Sequence, residues 1–164
     1  MPETDPLVAV LMGSANDAPV IEPCLEVLRR FSIPFEVRVL SAHRTPQETS
    51  AFVSGAEDRG VQVIVAAAGM AAHLAGACAA QTTLPVIGVP VASGPLNGQD
   101  ALLSTVMMPP GMPVATVAIN GAANAGHLAA QILALSRPDL KEKLKAGRAK
   151  MREKVLEQDA ELKR

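Results

Sequence analysis

The sequence predicts an α/β fold in which a five-stranded parallel sheet is covered by helices on both faces. Three observations predict it. Short runs rich in β-branched residues alternate with longer segments of helical spacing along the 164 residues, which is the pattern of repeated β-α units. One of these runs, Val61 to Ala67, is apolar but for Gln62, as expected of a strand buried on both faces of a parallel sheet. A polar or glycine-containing loop follows each of the first four runs, so parallel strands gather those loops at one edge.

The elements follow in order. Leu7 to Met12 is a first strand, broken by Gly13-Ser14-Ala15-Asn16-Asp17. Pro19 to Arg30 then has helical spacing, with a proline near its first turn where a missing N–H costs nothing. Phe35 to Leu40 is a second strand. Thr45, Pro46 and Glu48 read as a capping box opening a helix that runs to Arg59 and is stopped by Gly60. The strand Val61 to Ala67 leads through Gly69 into a small-residue helix, Ala71 to Gln81. Val86 to Val89 and Val114 to Ile119 are two further strands, with a helix from Gln99 to Met107 between them, and Asn124 to Ser136 is another helix. The order 2-1-3-4-5 with right-handed crossovers gives a flavodoxin-like three-layer α/β/α sandwich.

Two units are expected: a catalytic body over residues 1–136 and a long C-terminal helix over 137–164. Leu140, Leu144, Met151, Val155 and Leu162 lie near one stripe of that helix, which predicts that it packs on the body or on a neighbouring subunit.

Composition excludes several functions. With three Phe and no Trp or Tyr, the chain lacks a stacking platform for single-stranded nucleic acid. Its formal net charge of -1 supplies none of the electrostatic attraction that drives nucleic-acid binding. No apolar run reaches the ~18 residues of a membrane span, and no basic-then-apolar leader opens the chain, so no nucleic-acid or membrane partner and a cytoplasmic location are expected. Cys24 and Cys78 form no C-x-x-C pair, and buried reduced thiols are expected instead of a metal or disulfide framework.

The convergent loops carry the chemistry. Backbone N–H groups, Ser14, Asn16 and a helix N-terminus in the first loop favour a phosphate or carboxylate, although a simple turn with Asp17 as N-cap explains that loop alone equally well. No dinucleotide fingerprint or G-K-[ST] follows, so a single phosphate fits better. In the second loop Arg44 can close on that phosphate and Ser41 can add a hydroxyl. His43 then faces the reacting part of the ligand, and a histidine both takes and returns a proton near neutral pH. His73 begins an alanine-rich helix, where packing or orientation of a neighbour is as good a reading as a direct role. His127, in an Ala/Leu helix, reads as structural or interfacial, and Met107 and Met108 as core or contact residues.

Six segments in order carry a resemblance: M-G-S-x-x-D at Met12 to Asp17, S-A-H-R-T-P at Ser41 to Pro46, A-A-H-L-x-G at Ala71 to Gly76, G-V-P-V at Gly88 to Val91, L-x-G-x-D-x-L-x-S at Leu96 to Ser104, and N-A-x-x-L-A-A-Q-I-L at Asn124 to Leu133. Through them the chain resembles the class I N5-carboxyaminoimidazole ribonucleotide mutase family of de novo purine biosynthesis, also known as the catalytic subunit of phosphoribosylaminoimidazole carboxylase. The resemblance implies a homo-octamer without metal or organic cofactor, acting on a small phosphoribosyl aminoimidazole. The reaction it implies moves a carboxylate from the exocyclic nitrogen to C4 by decarboxylation and recarboxylation. By motif match, His43 is the catalytic acid/base; Ser14, Asn16, Asp17, Ser41, Ala42 and Arg44 hold phosphate and ribose. Gly69, Met70, Ala71, His73 and Leu74 surround the base and CO2.

The chain also departs from the family pattern. Asn16 replaces the second serine of G-S-x-S-D, and the glycine loop has Met70 in place of a glycine. Ala67, Ala75 and Ala77 replace a glycine, a proline and a methionine, and Val106-Met-Met-Pro109 loses an amide. A glycine beside a ligand permits close approach or positive φ, so Met70 is expected to bring bulk or strain. A carboxylase that takes free CO2, or a non-catalytic nucleotide-monophosphate-binding relative, would use the same pocket.

Overall fold

The structure is a computed structural model that describes residues 5–163; the first four residues of the expected body and Arg164 of the expected C-terminal unit lie outside the described residues. Strands β1 (Val8–Met12), β2 (Phe35–Val39), β3 (Val63–Gly69), β4 (Val86–Val91) and β5 (Ala115–Thr116) pair in parallel in the order β2-β1-β3-β4-β5. Helices α1 (Ala18–Arg30), α2 (Pro46–Ser54), α3 (Leu74–Ala79), α4 (Gln99–Val106), α5 (Ala122–Leu133) and α6 (Pro138–Leu162) make the crossovers and the tail. Among the described residues no helix is long and apolar enough to cross a membrane.

The period of two along the strands divides the core into two layers. Val8, Val10 and Met12 of β1 and Val63, Val65 and Ala67 of β3 face α1 and α5. Ala9, Leu11, Ile64 and Ala66 face α2 and α3. On the first face α1 presents Ile21, Cys24, Leu25 and Leu28 to a strip of Ala122, Ala125, Ala129 and Leu133 on α5. Gly126 makes their crossing close: a Cβ there would stand 2.9 Å from the Cys24 carbonyl oxygen and 3.0 Å from Val27 Cβ. Both cysteines are free and buried, and burial pushes each thiol up to about 12.

Several local expectations are corrected. Thr45 makes no cap bond to α2. Its hydroxyl instead accepts from Ser41 N–H at 2.8 Å and donates to the Ser41 carbonyl at 3.1 Å, so the residue braces the preceding loop and no capping box forms with Glu48. The helix expected to reach Arg59 ends at Ser54, and a 3-10 turn follows at Glu57–Arg59. The third strand begins and ends two residues later than expected, and α3 is trimmed to Leu74–Ala79. The fifth strand keeps two residues because only Ala115 and Thr116 find partners in β4. Of the stripe on α6, Leu140 is buried and Leu144 packs beside it, whereas Met151, Val155 and Leu162 are exposed in the single chain.

Candidate active site

The carboxyl ends of β1, β2 and β3 and the loop after β4 enclose a cavity of about 520 Å³ at the sheet edge where the strand order reverses. Ser14, Asn16, Asp17, Ser41, Ala42, His43, Arg44, Gly69, Met70, Ala71, His73 and Leu74 all line it. The residues gathered from three separated motifs therefore share one chamber. Gly13, Ala68 and Ser93 line it as well and were not among the site residues expected from sequence.

Backbone pairing fixes the loops to one another. Gly13 N–H donates to the Ala67 carbonyl at 3.1 Å, and Leu40 N–H to the Met12 carbonyl at 2.9 Å. Ser14 caps the 3-10 turn Ala15–Asp17, its hydroxyl accepting from Asn16 N–H at 3.2 Å. Asp17 occupies the N-cap position of α1 but its side chain makes no cap bond, which leaves the carboxyl available to the cavity. Burial holds that carboxyl above its usual range, opposed by a backbone hydrogen bond from Ser14 and by the Arg44 charge.

Arg44 is tethered across two loops. Its guanidinium donates to the Gly13 carbonyl and, from Nε at 3.4 Å, to Ser41 Oγ, while its own N–H donates to the same hydroxyl at 3.2 Å. Two of its five side-chain donors are thereby used to set the fork, and the others remain for an anion. An arginine, a helix start and two serine hydroxyls on one wall are suited to a phosphate monoester.

The second chemical feature is a pair of imidazoles. His43 Nε2 and His73 Nδ1 are 2.9 Å apart, with ring centroids at 5.0 Å and planes at 80°. One hydrogen lies between the two nitrogens, donated by either ring according to tautomer. The β3–α3 loop that brings His73 here is tightly wound: Ala72 N–H donates to the Met70 carbonyl and His73 N–H to the Ala71 carbonyl, each at 2.9 Å. Met70 enters that turn at φ 54°, a conformation costing a non-glycine residue roughly 1–2 kcal/mol. The strain expected from the sequence at this position is present.

Gly69 and Ser93 form the junction with the fourth loop. Gly69 pairs with Val91 in the sheet, and a Cβ on it would overlap the Ser93 hydroxyl. Only a glycine lets Ser93 come so close, and that pairing is the signal that identifies Ser93. Asn120, at φ 56°, holds the same loop from the other side, its side-chain Oδ1 accepting from Ala92 N–H at 2.8 Å. His127 is remote from the chamber: it meets Phe31 edge-on at 5.7 Å between α1, α5 and α6. Met108 packs against the α2–α3 core layer and Met107 is exposed.

The sequence profile of the AIR carboxylase family matches residues 7–154. The N5-carboxyaminoimidazole ribonucleotide mutase of Pyrococcus horikoshii is 50% identical over 157 residues, covering 96% of this chain and 89% of that protein. The mutase of the same description from Mycobacterium tuberculosis is 52% identical over 159 residues, covering 97% of this chain and 91% of that protein. Among solved structures, the crystal structure of Treponema denticola PurE superposes with a TM-score of 0.88 at 30% identity, covering 97% of this chain and 99% of that one.

Proposed function

Because the chain belongs to the AIR carboxylase family, with mutases of nearly equal length among its relatives, we propose that it converts N5-carboxyaminoimidazole ribonucleotide to 4-carboxy-5-aminoimidazole ribonucleotide in de novo purine biosynthesis. The observation that carries this reading is the hydrogen-bonded His43–His73 pair in the same chamber as Arg44, Ser14 and Asp17. A phosphate-sized anion site and a proton-transfer group are what an isomerisation of a ribonucleotide requires.

The proton inventory closes on one histidine. His43 as imidazolium protonates the exocyclic nitrogen while the N–carboxylate bond breaks, its electron pair staying on nitrogen and CO2 departing. The electron-rich C4 then attacks the CO2 carbon, forming the new C–C bond. Neutral His43 removes the C4 proton, which restores the aromatic ring and returns the imidazolium. His73, whose Nδ1 faces His43 Nε2, is a positioning residue that holds the ring and its tautomer. Ser14, Asn16, Asp17, Ser41, Ala42 and Arg44 hold the phosphate and ribose, and Gly69, Met70, Ala71 and Leu74 line the base and CO2. Keeping CO2 beside C4 makes recapture effectively intramolecular.

The test compares substrates: N5-carboxyaminoimidazole ribonucleotide alone against aminoimidazole ribonucleotide with CO2, both without ATP. Preference for the first is expected. Turnover of the second alone would make the protein a carboxylase of free CO2, and turnover of neither, with binding retained, would make it a non-catalytic binder.

The surface supports self-association. The 25-residue α6 is about 37 Å long, yet only Leu140 and Leu144 of its stripe meet the body. Beyond them Met151, Val155 and Leu156 are exposed, as are Leu96, Leu103, Val106, Met107 and Met112 around α4. A largely solvated helix of this kind draws its stability from packing on a partner, so α6 docks on a neighbouring subunit of a homo-octamer. Sedimentation at micromolar concentration is expected to give eight times the chain mass, and a monomer would refute this assembly. The buried free thiols suit the reducing cytoplasm.

A further inference from the structure

Among the described residues Met70 is the one exposed large hydrophobic residue lining the candidate active site, 56% exposed, whereas Leu74 on the same wall is buried. Its backbone is strained at φ 54°. Strain of this kind persists where the surrounding structure has a use for it, and burial is not that use, since the side chain remains largely open. Its position suggests another. Gly94, in the loop after β4, has φ 66°, and a Cβ there would sit 3.7 Å from Met70 Cγ. The Met70 side chain therefore lies beside the β4–α4 loop at Gly94, in the wall that also carries His73 and Ser93.

We propose that Met70 is an apolar stopper between these two loops that retains CO2 after decarboxylation, and so sets the fraction of turnovers that end in product instead of in loss of the intermediate. The inference rests on the mutase reading. CO2 is small, neutral and only a weak hydrogen-bond acceptor, so the donors of the phosphate wall hold it poorly and exclusion of the exit path is what slows its escape. An unbranched thioether with three rotatable bonds fills an irregular gap and yields when substrate enters. Met70 makes and breaks no bond; its effect is on partition.

The experiment supplies N5-carboxyaminoimidazole ribonucleotide to the wild-type protein, Met70→Gly and Met70→Leu, and measures aminoimidazole ribonucleotide plus free CO2 released per C4-carboxylated product formed. Glycine is at ease at this φ, so Met70→Gly folds, and a melting temperature no lower than wild type checks it. The expected result is a several-fold rise in leakage for Met70→Gly, wild-type partition for Met70→Leu, and an unchanged pH profile for the proton transfer. Equal partition in all three proteins would overturn the role of Met70 while leaving the mutase reading intact. Failure of the wild-type protein to form product would instead remove the mutase reading, and the stopper with it.

Discussion

Replacing Gly69 by alanine tests how tightly the third and fourth loops are joined. An alanine Cβ would overlap Ser93 Oγ and stand 3.3 Å from both Ser93 Cβ and the Val91 carbonyl oxygen. The hydroxyl can rotate away, but Val91 is fixed by its pairing with Gly69, so β3 and β4 must part by a few tenths of an ångström. Overpacking of this kind costs about 1–3 kcal/mol; a rotatable hydroxyl as chief obstacle places it near 2 kcal/mol. The smaller entropy of the unfolded alanine chain returns about 0.4–1 kcal/mol, leaving a net loss of about 1 kcal/mol, or a fall in Tm of roughly 2–4 °C for a chain of this size. Activity is expected to fall further, by roughly tenfold or more, because the displaced segment carries Met70 and Ser93 into the chamber and misplacement by 1 Å can cost 10²-fold. Thermal denaturation and initial rates on Gly69→Ala and on Gly69→Ala with Ser93→Gly provide the assay, the second change removing the obstructing hydroxyl. Partial recovery in the double variant is expected. Wild-type Tm and rate in Gly69→Ala, or a further loss on adding Ser93→Gly, would refute the account of this junction.

If Arg44 holds the substrate phosphate as proposed, Arg44→Ala removes charge-assisted hydrogen bonds worth about 1.5–3 kcal/mol or roughly 10- to 150-fold in kcat/KM; the loss is expected mainly in KM, and an unchanged KM would contradict the phosphate assignment. The same substitution removes a charge that holds the Asp17 carboxyl down, so a carboxyl titration by NMR should show Asp17 moving further up. His127 is held below its ordinary value by burial, then by Arg30 and Arg148. Its contribution to stability is therefore fully present above the unfolded-state value of about 6.5 and is lost as pH falls through the lowered folded value. Denaturation from pH 7.5 to 5.5 should show the wild-type protein losing stability more steeply than His127→Gln, and parallel profiles would contradict this.

The order of the sheet was legible because strands buried on both faces read as apolar runs, and because glycine and proline punctuate the units. Element ends were less legible. The Thr45 hydroxyl serves Ser41 and not the helix it precedes, a choice between two local partners that spacing cannot decide. The length of β5 depends on which β4 residues it meets. In the candidate site, each loop motif pointed to the strand edge that gathers it, but the contact between His43 and His73 spans 30 positions and emerges only when β2 and β3 are seen to flank β1. Ser93 needed the missing side chain of Gly69 as well as its own loop. The α6 stripe was visible as a pattern, but spacing did not show that only its first half, Leu140 and Leu144, meets the body.

In the proposed mechanism His43 carries the single proton of an isomerisation that needs no added carbon source. The most direct test gives the purified protein N5-carboxyaminoimidazole ribonucleotide without ATP or bicarbonate and follows the C4-carboxylated isomer, with His43→Asn alongside. Conversion by the wild-type protein and its loss in His43→Asn, with ligand binding kept, is the expected result. Full turnover in His43→Asn would contradict the account.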